Sequence, residues 1–96
     1  MLKRTFVNQM RHNHKILELA ERYLSMGYRV YADLRGWEVP EAINGFRPDI
    51  LLIKENHGVI IEVETSDSLP HDQLQLQAFQ RFAAMVRNVK FKVILV

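Results

Sequence analysis

The chain contains no cysteine among its 96 residues, so neither a disulfide framework nor a thiolate metal site is open to it. That fits a reducing compartment, and a cytoplasmic location is expected. No apolar run approaches the roughly 20 residues of a membrane span. The start, Met-Leu-Lys-Arg-Thr-Phe-Val, lacks the apolar stretch of a signal peptide, and no membrane partner is expected. Net charge is only +2, which excludes a strongly basic protein. Repeats, low-complexity tracts and linkers are also missing.

Apolar residues make up 48% of the chain, enough for the core of a single small domain spanning 1–96. A chain this short is marginally stable, and pairing into a homodimer can help it. The charges are unevenly placed. Lys3, Arg4, Arg11 and Lys15, with His12 and His14, make the first 15 residues basic with no acid among them. Arg81, Arg87, Lys90 and Lys92 form a second basic group. Such segments can meet a polyanion, or they can simply keep the ends solvated.

Ile16, Leu17, Ala20, Tyr23 and Leu24 recur at helical spacing and predict a helix over 13–26, stopped by Gly27. Tyr28 to Ala32 reads as a strand. The segment 33–46 holds Gly36, Pro40, Asn44 and Gly45 and reads as a long, functional-length loop. Strands are expected over 49–53 and 59–64, around a turn at 54–58. Ser68 and Pro70 suit the start of a second helix running to about Arg87, with Phe79, Phe82, Ala83 and Val86 facing inward. A strand over 90–96 ends the chain. A helix between the last two strands implies a parallel pairing.

Asp49, Glu62 and Glu64 stand in apolar strands, where core packing would not select acids. Buried carboxylates are costly unless paired or bound to a cation. Alternation along a strand puts Val59, Ile61 and Val63 on one face and Ile60, Glu62 and Glu64 on the other. With a turn centred between Asn56 and His57, Asp49 falls opposite Glu64 on that second face. Clustered carboxylates of this kind suit Mg²⁺ or Mn²⁺; a solvent-facing sheet edge with ordinary acids is the other reading. Gln75, four residues before Phe79, continues the inward helix face as a polar group. His14, Lys15, Arg47 and Trp37 are candidate substrate contacts. Arg47 can hold phosphate, and Trp37 can stack on a base or pin its loop to the core.

The order helix, three strands, helix, strand, with Pro48-Asp49 opening one strand and Glu62-Val63-Glu64 closing the next, resembles the PD-(D/E)XK nuclease superfamily. The resemblance covers nearly the whole chain. It implies an α/β (α+β) restriction-endonuclease-like fold, a mixed four-stranded sheet flanked by helices. It also implies a metal-dependent nuclease acting on DNA, with Asp49 as the first metal-binding acid and Glu62 as the second. Gln75-Leu76-Gln77-Ala78-Phe79 is similar to the glutamine motif of the RecB-like branch, with phenylalanine in place of tyrosine. Glu18 or Glu21 is the candidate for a first-helix glutamate. The family's lysine, two residues after the second acid, is here Glu64. A few restriction enzymes of the superfamily carry glutamate there and remain active. Asp49, Glu62 and Glu64 are therefore the expected metal ligands, and Lys54 and Lys92 the lysines that can compensate if the sheet brings either near. The alternative is a nuclease-fold module that binds nucleic acid or a protein without cutting.

Overall fold

A computed structural model describes residues 3–96; Met1 and Leu2, part of the start segment read above, lie outside the described residues. Helix α1 covers Phe6–Ser25. Strands β1 (Arg29–Ala32), β2 (Ile50–Lys54) and β3 (His57–Glu64) follow. A 3₁₀ turn, Leu69–His71, leads into helix α2 (Gln73–Met85), and strand β4 (Val89–Leu95) completes the order. The sheet runs β1-β2-β3-β4, antiparallel in its first two pairings and parallel between β3 and β4. This is the mixed four-stranded α+β sheet that the element order implied. No helix among the described residues is long and apolar enough to cross a membrane.

Helix α1 begins seven residues before its expected start. Thr5 caps it, its hydroxyl accepting the Asn8 N–H at 3.2 Å. The first two turns escape the apolar pattern because Phe6, Val7 and Met10 are exposed there. Gly27, at φ +89°, sits just past the end, where a left-handed residue closes the helix. The buried face of α1 is His12, Ile16, Leu19 and Ala20. It packs on Val30, Ala32, Ile50, Leu52, Ile61 and Val63, while Leu17 and Leu24 stay exposed.

On the other side of the sheet, Phe79 is fully buried and meets Phe91 of β4 with ring centroids 5.7 Å apart. The inward face of α2 ends sooner than its spacing suggested. Val86 is an extended C-cap residue, 39% exposed, because the helix stops at Met85. Pro70 lies in a 3₁₀ turn rather than in α2 itself, and α2 begins after Asp72.

The β2–β3 turn is tighter than expected. Lys54 pairs with His57 and Ile50 with Ile61, so the turn is Glu55-Asn56 and its centre lies one residue earlier. Continuing that register sets Asp49 across from Glu62 rather than Glu64. A shift of two in the pairing sum preserves the face, so the acids stay on the same side. The segment 33–49 is held to the sheet by backbone bonds from Ala32 N–H to Glu38 and from Asp33 N–H to Asp49, and an isolated bridge, Ile43 to Phe46, closes a turn over Asn44 and Gly45.

Candidate functional site

The β2–β3 hairpin brings Asp49 and Glu62 together through their own backbone. The Asp49 N–H donates to Glu62 Oε1 at 2.7 Å, and the Val63 N–H donates to Asp49 Oδ2 at 2.9 Å. Each carboxylate is thus bound by the neighbouring strand's main chain, which fixes both side chains without neutralising either. Gln75, on the first turn of α2, donates from Nε2 to Glu62 Oε2 at 2.6 Å. Both oxygens of Glu62 are therefore oriented.

Glu62 is 1% exposed, and no basic side chain among the described residues pairs with it. Its carboxyl is pushed up to about 9, first by burial and then by the charge of Asp49. A group so placed is either protonated or waiting for a cation.

The first-helix residue at this site is His12. It is 6% exposed, and its Nε2 lies 3.2 Å from Asp49 Oδ2, within ion-pair distance but outside hydrogen-bond alignment, which leaves Nε2 without a hydrogen-bond partner among the described residues. Its Nδ1 is 2.9 Å from Asn13 Oδ1, which also accepts from Gln9 Nε2 at 2.9 Å. Nδ1 also lies 3.4 Å from Gln9 Nε2, so it sits between an amide oxygen that accepts and an amide nitrogen that donates, while Nε2 faces Asp49. His12 sits four residues before Ile16 and so belongs to the buried stripe; a helix start placed at Asn13 hid it.

Glu64 is fully buried one alternation further along β3. Its Oε2 accepts from Ser68 Oγ at 2.5 Å and lies 3.9 Å from Arg4 Nη2. Its carboxyl is raised to about 7, chiefly by burial, with the Ser68 hydrogen bond opposing. Arg4 precedes α1, and no periodicity marks it in the sequence.

The remaining candidates stand apart from this pair. Glu18 bonds Lys15 at 3.3 Å and Arg22 at 2.9 Å on the helix surface, and His14 and Glu21 are exposed. Arg47 donates to the Pro40 carbonyl and so holds its own loop. Trp37 packs against the core. Lys54 donates to the Met26 carbonyl, at the far end of β2, with its ammonium 5.1 Å from the centre of the Tyr28 ring. Lys92 is exposed on the edge strand.

Among the described residues no three His, Cys, Asp or Glu side chains form a ready cation cage. Mg²⁺ rarely needs one; it is commonly held by one or two carboxylates, with waters and substrate phosphates completing the shell. Asp49 and Glu62 offer two hard oxygen donors, and the His12 imidazole lies buried beside them with Nε2 3.2 Å from Asp49 Oδ2. The donor set fits a divalent cation.

A family model described as AHJR-like, a restriction-endonuclease-like (REase) family, matches residues 5–96. No curated protein and no solved structure matches the chain.

Proposed function

The chain belongs to the AHJR-like family of restriction-endonuclease-like proteins, a nuclease-type family, and we propose that it is a divalent-metal-dependent nuclease hydrolysing DNA phosphodiester bonds. The observation that carries this reading is the Asp49–Glu62 bracket: two carboxylates locked across a hairpin, one of them, Glu62, fully buried and paired with no basic side chain among the described residues. Asp49 and Glu62 would hold Mg²⁺ or Mn²⁺, with His12 as the neighbouring buried side chain. When bound, such an ion supplies Lewis acidity at the phosphate and makes water a competent nucleophile near neutral pH.

The chain's own groups do the positioning. The Val63 N–H fixes the Asp49 carboxylate, and Gln75 fixes the second oxygen of Glu62. Holding these groups in place before substrate arrives removes reorganisation from the reactive step. The reaction adds water across one P–O bond, leaving a phosphate monoester on one fragment and a hydroxyl on the other.

Nucleic acid is the partner this reading requires. A homodimer pairing β4 with its copy would have to bring the exposed edge lysines Lys90 and Lys92 to the interface, and such charges oppose strand pairing. The basic edge is better suited to a polyanion.

The test is incubation of supercoiled plasmid and of single-stranded DNA with the purified protein in Mg²⁺, Mn²⁺ or EDTA, alongside Glu62→Ala. Cutting that needs metal and disappears in the variant is expected. A second reading, a nuclease-fold module that binds without cutting, is favoured by Glu64 in the place of the family's lysine. Metal and DNA binding without cleavage would select it.

A further inference from the structure

Arg4 is 8% exposed, and its surroundings do not satisfy it. Nη2 donates to the Val63 carbonyl at 3.2 Å and lies 3.9 Å from Glu64 Oε2, while Nε has no partner among the described residues. Glu64, fully buried, has a matching deficit at Oε1. A buried guanidinium with incomplete partners is costly. Anchoring the N-terminal segment does not explain the cost, because its neighbours already do this. Lys3 Nζ bonds Asp72 Oδ2 at 2.8 Å, and the Thr5 N–H bonds Asp67 Oδ2 at 2.7 Å.

What Arg4 touches is the acidic end of β3. The Val63 main chain is held at both its polar groups, its N–H by Asp49 and its carbonyl by Arg4. Lys54 and Lys92 are engaged or exposed elsewhere. Arg4 is the buried cation nearest Glu64, at 3.9 Å, while Lys3, whose charge also favours the ionised Glu64, is bonded to Asp72.

We propose that Arg4 is a positioning residue that acts through Glu64 and the Val63 carbonyl: it offsets the charge of the third acid, and so sets the field in which Asp49 and Glu62 take a divalent cation. This rests on the reading of Asp49 and Glu62 as the cation site. Glu64 then belongs to an Arg4–Glu64 pair rather than to the cation's ligands.

The experiment is a calorimetric Mn²⁺ titration of the full chain as wild type, Arg4→Gln, Arg4→Lys, Glu64→Gln and the double variant Arg4→Gln/Glu64→Gln, with thermal melts in parallel. Removing one unit charge about 10 Å from a divalent ion changes its affinity by at least about three- to tenfold, the value in a water-like dielectric, and by more where the dielectric is lower. Arg4→Gln therefore binds Mn²⁺ more tightly by that factor and Glu64→Gln more weakly. Arg4→Lys and the double variant stay near wild type. A purely structural tether gives unchanged or weaker binding in Arg4→Gln, and that result overturns the proposal. A loss in Glu64→Gln that Arg4→Gln does not restore makes Glu64 a direct ligand and overturns it as well. If Arg4→Gln does not fold, Glu64→Gln decides alone, and unchanged affinity refutes the proposal. Wild type that binds no Mn²⁺ removes the cation site and this inference together, whereas wild-type binding with a flat series removes only this inference.

Discussion

Replacing Glu62 with glutamine isolates the energetic consequence of burying this carboxylate. Glutamine keeps the shape and can accept the Asp49 N–H, and Gln75 can turn its amide to present oxygen to the new side-chain nitrogen. What is lost is a titratable group whose folded value, about 9, lies far above its ordinary 4.5. Between those values the folded chain binds more protons than the unfolded one. Wild-type stability therefore falls as pH rises through this window, by up to ~1.4 kcal/mol per pH unit for this single group. Asp49 shares the charge and water entry softens the penalty, so we expect a net cost of about 2 kcal/mol at pH 8 relative to pH 5. In a domain of this size that is about 10 °C in Tm. The assay is thermal and urea unfolding in EDTA from pH 5 to 8.5. Glu62→Gln should match wild type near pH 5 and exceed it by about this amount near pH 8, while losing cleavage. If the difference between the two proteins does not grow with pH, Glu62 is not held in a cation-hungry pocket, and the reasoning from its burial is refuted.

Three further outcomes follow from the same geometry. His12→Ala should weaken Mn²⁺ binding by about tenfold without abolishing it, since Asp49 and Glu62 remain; calorimetry reads this directly. Gln75→Leu should leave the melting temperature within a few degrees of wild type yet lower the cleavage rate by about 10–100-fold, the usual effect of freeing one oxygen of a ligating carboxylate. Glu55 sits at φ +55° in the two-residue turn, where a side chain is strained, so Glu55→Gly should raise stability by about 0.5–1 kcal/mol in urea unfolding.

Much of the site is legible in the sequence because strands impose a strict alternation. Once 59–64 is read as a strand, Glu62 and Glu64 must share a face, and a hairpin must bring Asp49 beside them. The exact partner of Asp49 depends on the turn. Glu55 takes a left-handed conformation that glutamate seldom adopts, so the two-residue turn carries no glycine-based signature, and the register came out two places different in its sum. Gln75 is legible as a polar break in an inward helix face. His12 is not, because the two exposed turns that open α1 hide the helix start, and a buried histidine then reads as part of a basic tail. Arg4 precedes any periodic element, and only the folded chain shows it beneath β3. The long loop follows a different logic. Arg47 and Trp37 have the chemistry of nucleic-acid contacts, yet Arg47 is spent on the Pro40 carbonyl and Trp37 on the core, because a connection of that length must be tied down by its own side chains.

The most direct measurement is an anomalous difference map from crystals of the protein grown or soaked with Mn²⁺. A peak between the Asp49 and Glu62 carboxylates, with His12 Nε2 facing it and Glu64 still turned to Ser68 and Arg4, is the expected result. A peak at Glu64 and Asp72 instead, or no bound ion at Asp49 and Glu62 under conditions that support cleavage, would contradict the assignment of this carboxylate pair as the cation site.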